Sequence, residues 1–327
     1  MANNKRGNAG LAVFIAFAIF LVGFVLGMIL IYLTEARPAQ KELKEALSNQ
    51  QTTINVDGGE EVLKVYVPKR EVRYGEIPVN SYNLDNFRLG DDGYMAYYDE
   101  AGNKISHLGV DLSYHQTEVN WEELKNSPCE FVMIRCGYRG YTEGGLKEDE
   151  KFREYIEGAA GVGIPAGVYF FTQATSNEEA LEEADFVLSL IKDYPIGYPV
   201  AIDTEYVSDS DARTNKIEMT PQERTGFLVT FCEKIKEQGY YPLIYASENW
   251  LRRSLDADML QEYEIWAPQY LDSNDFMYDF TIWQYTDAGS IPGVKGNVDL
   301  NISMVDYASF VPSLREAFTE DGEIIEE

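Results

Sequence analysis

The chain has 327 residues, of which 45% are hydrophobic, so it can form one sizeable core together with smaller accessory segments. It carries 27 basic and 55 acidic residues, and its net charge of -28 repels polyanions and argues against nucleic acid as a partner. With only His107 and His115 present, there is little material for a histidine-rich metal site or a Ser-His-Asp triad. We therefore expect neither a metal nor a cofactor. The three cysteines, Cys129, Cys136 and Cys232, lack disulfide or zinc spacing and are expected to be buried thiols.

The amino terminus contains a stretch that is long enough to cross a membrane. Residues 10–33 are uncharged and strongly apolar, and a helix of roughly 24 residues exceeds a hydrocarbon layer of about 30 Å. The stretch does not end in a small-residue cleavage site, which favours an uncleaved signal anchor over a signal peptide. Lys5 and Arg6 precede it and Glu35 follows it, so the positive-inside bias predicts a cytoplasmic amino end. We therefore expect a single-pass cell-membrane protein whose remaining residues lie outside the cytoplasm.

Composition divides the chain into four regions. Residues 1–34 form the predicted cytoplasmic tip and transmembrane segment, and residues 35–106 form a predicted stalk with a small β accessory. Within the second region, Tyr94–Ser106 has two alternating stretches around a turn-forming tetrapeptide, Glu-Ala-Gly-Asn, which predicts a hairpin. Residues 107–310 form the main domain, and residues 311–327 are an acidic tail of the composition typical of disorder.

In the main domain, short apolar strands alternate with amphipathic helices, which predicts an α/β fold with a parallel sheet. We expect strands at Leu108–Leu112, Phe131–Cys136, Ala166–Phe171, Val200–Thr204, Pro242–Ala246, Glu264–Pro268, Thr281–Tyr285 and Val298–Leu300. We expect helices at Glu148–Ala160, Asn177–Lys192, Pro221–Gln238 and Trp250–Leu260. About eight strands over about 200 residues are what a closed, TIM-like β/α barrel requires.

Four carboxylates lie at predicted strand ends, where a β/α barrel places its working residues: Asp111, Asp203, Glu205 and Asp299. Because Asp203 and Glu205 are two positions apart, strand alternation places them on one face, where each perturbs the ionisation of the other. One can stay protonated while the other is ionised, which is the division of labour that glycosidic cleavage requires. The alternatives are an exposed polar strand end and a magnesium or calcium site. The apolar run before Asp203 and the two further acids favour hydrolysis.

Six segments of the sequence together resemble glycoside hydrolase family 25, the Chalaropsis-type or Cellosyl-type lysozymes. They occur in order between about Leu108 and Tyr307: HLGVDLSYHQTEVNW, FVMIRCGYRG, GIPAGVYFFT, PVAIDTE, EIWAPQY and TIWQYTDAGSIPGVKGNVDLN. The resemblance implies a flattened TIM-like β/α barrel with fewer helices than strands. It also implies hydrolysis of the β-1,4 bond between N-acetylmuramic acid and N-acetylglucosamine, with peptidoglycan glycan strands as the partner.

The resemblance also suggests a role for each acid. Asp203 and Glu205 match the family's catalytic D-x-E, Asp111 its first-strand acid and Asp299 its last-strand acid. Glu205 is then the general acid, and Asp203 stabilises charge at the sugar ring, either by steering the substrate's acetamido oxygen or by activating water. Asp111 and Asp299 are expected to hold sugar hydroxyls and to tune the central pair.

Aromatic residues are abundant, with 23 Tyr, 16 Phe and 4 Trp, and several fall at predicted strand ends. Sugar rings stack on such faces, and we expect Tyr169, Tyr245 and Trp266 to contact substrate, with core packing as the alternative for each. Gln284 is a further candidate, although alternation could point either it or its neighbours inward.

Two other functions remain compatible with the sequence. One is a noncatalytic cell-wall-binding anchor that uses the same groove, which the complete set of four acids argues against. The other is a glycosidase that acts on another N-acetylated glycan, such as chitin, and it retains the chemistry while changing the polymer.

Overall fold

The computed structural model of the protein describes residues 73–74, 77–270 and 276–312. The predicted transmembrane segment, residues 35–72 of the predicted stalk and almost all of the predicted acidic tail lie outside these ranges. Within them, none of the helices combines the length and the apolar character that a bilayer crossing requires.

Two short antiparallel strand pairs precede the main sheet. β1 (Arg73–Tyr74) pairs with β2 (Ile77–Pro78), and β3 (Phe87–Leu89) pairs with β4 (Met95–Tyr97). The predicted hairpin over residues 94–106 is present but shorter than expected, since most of the pairing of β4 is with the strand before it, where the Phe87 and Tyr97 rings lie 4.6 Å apart. The predicted turn is present, and a single bridge joins the residues on either side of it.

Eight strands close into a barrel, and a ninth short strand flanks it. Their bounds are β5 (His107–Leu112), β6 (Phe131–Arg139), the flanking β7 (Leu146–Glu148), β8 (Ala166–Phe171), β9 (Ile196–Asp203), β10 (Pro242–Tyr245), β11 (Ile265–Pro268), β12 (Ile282–Gly289) and β13 (Val298–Ser303). The order around the barrel is β5-β13-β12-β11-β10-β9-β8-β6, and the pairing of β6 with β5 closes it. All eight predicted barrel strands are thus present, with shifted ends.

One barrel strand runs against the others. Seven strands are parallel, but β13 is antiparallel to both of its neighbours, β12 and β5. The wholly parallel sheet predicted from the sequence is therefore wrong at this strand. The physical reason is the short connection between β12 and β13, residues 290–297. A parallel crossover needs a dozen residues or more, so this connection allows only an antiparallel return.

In the described part of the chain, the α-helices are fewer than the strands. They are α1 (Trp121–Lys125), α2 (Phe152–Val162), α3 (Asn177–Ile191), α4 (Arg213–Lys216), α5 (Pro221–Lys236) and α6 (Glu248–Arg253), with 3-10 turns at Leu84–Asn86, Ala257–Leu260 and Tyr307–Ser309. The predictions for α3 and α5 are confirmed to within two residues. At the start of α5, Thr220 and Glu223 form a reciprocal capping box ahead of Pro221.

Two predicted helices differ from the structure. The helix expected from Glu148 begins at Phe152, because Glu148 belongs to β7 and pairs with β6. The helix expected over residues 250–260 is interrupted after α6, where the Asp256 side chain accepts a hydrogen bond from the Asp258 N–H and caps the following 3-10 turn. The Asp256 N–H itself donates to the Thr225 hydroxyl, at 2.8 Å, instead of continuing the helix.

Large side chains fill the barrel interior at the amino ends of the parallel strands. Phe131 and Tyr198 stack with their ring centroids 4.3 Å apart and their planes 6° apart, and Tyr307 packs edge-on against Tyr198 at 5.4 Å. Trp266 belongs to the same buried cluster. All three cysteines are buried and free, as expected. The interior is therefore packed at this end, and a cavity opens toward the carboxyl ends of the parallel strands.

Residues 79–106 pack against the outside of the barrel. Phe87 contacts the Trp283 ring edge-on, with the centroids 5.2 Å apart, and the Tyr82 hydroxyl donates to the Phe280 carbonyl at 3.0 Å. Since side chains alternate along β12, Trp283 points outward, and Phe87 on β3 covers it.

We predict that Phe87→Ala lowers the free energy of unfolding by about 3 kcal/mol, because the Phe87 side chain is only 7% exposed and its loss leaves a cavity beside Trp283. Urea unfolding followed by tryptophan fluorescence would measure the change. Leu89→Ala, on the same strand but at a 62% exposed position, is the matched control and should change stability by less than about 0.5 kcal/mol. Equal effects of the two substitutions would show that β3 does not contribute to the core.

Candidate active site

A cavity of about 470 Å³ opens at the carboxyl ends of the parallel strands. It is lined by all eight residues that the sequence predicted for the site: Asp111, Asp203, Glu205, Asp299, Tyr169, Tyr245, Trp266 and Gln284. Seven further lining residues were not predicted from the sequence: Ser113, His115, Gln116, Arg135, Phe171, Tyr270 and Asp287. The structure thus brings the predicted residues together, while the role of each stays a prediction.

Asp299 reaches this cavity by an unexpected route. The sequence analysis placed it at the carboxyl end of a strand, but it lies near the amino end of β13. Because β13 is antiparallel, that end meets the carboxyl end of β5, and Asp299 is the direct register partner of Asp111. Their side chains are hydrogen-bonded, which requires a shared proton. Burial raises the pKa of Asp111 to about 6, and burial together with the charge of Asp111 raises the pKa of Asp299 to about 8.

Two amide side chains hold Asp111 in place. Gln284 Nε2 and Asn301 Nδ2 each donate to Asp111 Oδ2 at 2.8 Å. Asn301 was not predicted from the sequence. Its position could have indicated it, because a residue two positions after Asp299 shares the inward face of β13.

Gln284 also organises the aromatic side of the cavity. Its Oε1 accepts hydrogen bonds from the hydroxyls of Tyr245 and Tyr270, both at 2.9 Å. Gln284 therefore points inward, which settles the question that strand alternation left open. Trp266 is almost fully buried, packs edge-on against Tyr245 at 4.9 Å and donates its indole N–H to Asn301 Oδ1 at 2.7 Å. Trp266 thus lines the cavity from a buried position and supports Tyr245, whereas Tyr270 is exposed at the rim.

Asp203 and Glu205 differ strongly in their surroundings. The sequence predicted that Asp203 and Glu205 lie on one face of the same strand. β9 ends at Asp203, however, so Glu205 lies in the following loop. Asp203 is buried, and its Oδ1 has no hydrogen-bond partner among the described residues, whereas Glu205 is exposed at the mouth. Burial, and then the charge of Glu205, raise the pKa of Asp203 well above its usual range. Desolvation raises the pKa of Glu205 as well, although this side chain reaches solvent at the mouth.

Arg135 supplies positive charge to this acidic cavity. Burial raises the pKa of Asp203, and the positive charge of the Arg135 guanidinium acts in the opposite direction and lowers it. Arg135 Nε donates to Asp149 Oδ2 at 2.7 Å, and the guanidinium carbon lies 4.8 Å from the ring centroid of Tyr114. Its Nη2 is buried and has no hydrogen-bond partner in the described part of the chain. These contacts fix a cation in the wall beside Asp203.

A buried ion pair supports Asp203 from the outside of the barrel. The Thr172 N–H donates to the Asp203 carbonyl at 3.0 Å, and the Thr172 hydroxyl donates to Glu183 Oε2 at 2.6 Å. Glu183 Oε1 accepts from Arg139 Nε at 2.7 Å, and both of these side chains are buried. The end of β9 is therefore attached to α3 through hydrogen bonds that a neutral or shorter side chain at position 183 would break.

The cavity is suited to moving protons near a bound molecule. It combines two raised-pKa acids at one strand end, a second pair that shares a proton, and tyrosine hydroxyls that hold the amides in place. Across residues 73–74, 77–270 and 276–312, no cluster of His, Cys, Asp and Glu is arranged to hold a metal ion.

A closed β/α barrel with paired carboxylates at the carboxyl ends of its strands is an architecture of glycoside-cleaving enzymes. Residues 110–294, more than half of the chain, match the model of the glycosyl hydrolases family 25. The chain belongs to this family, and the resemblance found in the sequence is confirmed at that level.

Individual relatives are distant. The chain is 22% identical over 194 residues to an autolytic lysozyme of Clostridium acetobutylicum. The aligned region covers 59% of this chain and 54% of the relative. It thus spans about half the length of that protein.

Solved structures show the same fold. The modular autolysin LytC of Streptococcus pneumoniae, in complex with a synthetic peptidoglycan ligand, is 24% identical with a TM-score of 0.53, covering 67% of this chain and 52% of that one. A family 25 glycosyl hydrolase from Bacillus anthracis is 20% identical with a TM-score of 0.52, covering 65% of this chain and 94% of that one.

Proposed function

We propose that the protein hydrolyses the β-1,4 bond between N-acetylmuramic acid and N-acetylglucosamine in peptidoglycan. The observation that carries the proposal is the pairing of buried Asp203 with exposed Glu205 in one cavity, opposite the proton-sharing Asp111 and Asp299. Family membership supports the glycosidic chemistry. Similarity to an autolytic lysozyme, and to an autolysin whose structure contains a peptidoglycan ligand, supports the choice of polymer.

In this proposal Glu205 is the general acid. Its exposure at the mouth places it where a glycan strand would lie, and a bound glycan would remove water from it and raise its pKa. The positive charge that develops at the sugar ring, together with Arg135, favours the ionised form of Asp203. Glu205 in its protonated form gives its proton to the leaving oxygen as the bond breaks, and the sugar carbon bonds to the acetamido oxygen that ionised Asp203 steers or to water that it activates.

Asp111 and Asp299 would contribute by position. Their carboxyl groups lie across the cavity on neighbouring strands, and Asp111 is fixed by two amide donors. Such a group offers rigid acceptors to sugar hydroxyls and adds negative potential beside the developing positive charge.

We predict that Glu205→Gln reduces the release of reducing sugar from purified peptidoglycan by at least about a thousandfold, because the amide cannot protonate the leaving oxygen. Since Glu205 is exposed, the melting temperature should stay within about 2 °C of the unsubstituted protein.

The matched control for this experiment is Glu218→Gln, an exposed glutamate that does not line the cavity and should retain full activity. Undiminished cleavage by Glu205→Gln would refute the assignment of the acid. Mass spectrometry of the products from peptidoglycan and from chitin would identify the polymer, and wall binding without cleavage by the unsubstituted protein would refute hydrolysis.

A second prediction concerns the pH profile. Arg135→Gln removes the positive charge that lowers the pKa of Asp203, so this pKa rises further. The carboxylate form is then reached only at higher pH, and the acid-side limb of the plot of kcat/KM against pH should move upward by about one unit. Arg135→Lys keeps the charge and should move the limb less. A limb that does not move in Arg135→Gln would contradict the electrostatic role.

We further propose that residues 10–33 anchor the protein in the cell membrane, with the amino end in the cytoplasm and the barrel outside. The apolar length of this segment and its flanking charges support the proposal. Protease added to intact wall-free cells should degrade the barrel, whereas an amino-terminal epitope should become accessible only after permeabilisation. The reverse pattern of accessibility would refute the orientation.

A further inference from the structure

An aromatic pair lies immediately beside the proposed acid. Tyr206 follows Glu205 and is 64% exposed, and its ring centroid lies 6.4 Å from that of Trp250. The Trp250 indole N–H donates to the Thr204 hydroxyl at 3.0 Å, and the Thr204 N–H donates to the Tyr245 carbonyl at 3.1 Å. Both chain neighbours of Glu205, Thr204 and Tyr206, therefore contact Trp250. These contacts fix Tyr206 and Trp250, called here the aromatic shelf, relative to the acid.

Arg224, on α5, extends the aromatic shelf. Its guanidinium carbon lies 5.1 Å from the centroid of the Trp250 ring. The side chain is half-buried, and burial lowers the pKa of its guanidinium. Among the described residues, Arg224 makes neither an ion pair nor a side-chain hydrogen bond.

Among the described arginines that are not exposed, this lack of an anionic partner distinguishes Arg224. Three other arginines with little exposure each hold a carboxylate at 2.7 Å or less: Arg135 with Asp149, Arg139 with Glu183 and Arg213 with Glu179. Acidic residues outnumber basic ones by 55 to 27, so a partner would be easy to supply. A partly desolvated cation without a counter-charge gains more from an anionic ligand than one that is already paired.

We propose that the aromatic shelf and Arg224 form a binding subsite for the muramyl residue of the glycan, with a sugar ring on the aromatic shelf and a carboxylate of that residue paired with Arg224. The inference rests on the proposed function, since it takes Glu205 as the point of cleavage. The carboxylate has two possible sources: the lactyl group of a peptide-free muramyl residue, or the stem peptide attached to it. Chitin carries neither, so the subsite would distinguish peptidoglycan from chitin by charge.

The experiment measures dissociation constants, so it does not depend on cleavage. The host is the full chain carrying Glu205→Gln, titrated with muramyl oligosaccharides that carry stem peptides, with peptide-free muramyl oligosaccharides and with chito-oligosaccharides of equal length. Adding Arg224→Gln should weaken binding of at least one muramyl ligand by roughly tenfold and leave chito-oligosaccharide binding unchanged. Adding Tyr206→Ala should weaken all three, since every sugar ring offers an apolar face.

The controls separate charge from folding. Arg88→Gln removes another guanidinium that lies over a ring, 4.2 Å from the Tyr98 centroid, on the β3 strand that packs against the outside of the barrel, and should leave all three affinities unchanged. Arg224→Lys retains the charge and should restore part of the affinity for the muramyl ligand. Raising the salt concentration should weaken muramyl binding in the host and not in the Arg224→Gln variant.

The outcomes are distinct. A loss confined to peptide-bearing ligands assigns the carboxylate to the stem, and a loss confined to peptide-free ligands assigns it to the lactyl group. Unchanged muramyl binding in Arg224→Gln, an equal loss for chito-oligosaccharides, or no muramyl binding by the host overturns the subsite. Failure of the unsubstituted protein to cleave peptidoglycan would refute the proposed function, and the binding series would still report on Arg224.

Discussion

The antiparallel return of β13 between β12 and β5 is the constraint on which the site depends. Asp299 is the second residue of its strand, and in a parallel strand it would lie at the opposite end of the barrel from Asp111. The reversed direction makes the two residues register partners and brings their carboxyl groups within hydrogen-bonding distance. The same strand contributes Asn301, whose amide fixes Asp111. A connection too short for a parallel crossover thus determines the acid arrangement.

Desolvation of these acids raises their pKa values and determines the electrostatics of the cavity. Each buried carboxyl disfavours its charged form, so the acids share protons and do not all ionise. Arg135 opposes this effect at Asp203, and its own position is fixed by Asp149. Exposed Glu205 is the acid whose surroundings would change most when a glycan covers the mouth. Two acids so close in the chain therefore lie in different surroundings, as the proposed division between a general acid and a charge-stabilising carboxylate requires.

Rigidity comes from side chains that hold other residues of the site in place. Thr172 attaches the end of β9 to the buried Arg139–Glu183 pair, and Trp266 supports the tyrosine wall from below. Loss of one partner in such a buried hydrogen bond costs about 1 to 3 kcal/mol, because the other is left without water or a replacement. Trp250 performs a similar function at the mouth, where it holds Thr204 and, we propose, carries a sugar.

The sequence by itself determined the eight barrel strands, the α3 and α5 helices and eight of the residues that meet in the cavity. Apolar runs of strand length, a proline after a capping threonine, and carboxylates directly after apolar runs are local signals, and they survive folding because burial enforces them. The tertiary structure alone decided the direction of β13, the inward position of Gln284 and the burial that separates Asp203 from Glu205. It also decided that Arg224 has no described anionic partner. Strand direction, exposure and ion pairing depend on which distant segments meet, and no local pattern encodes them.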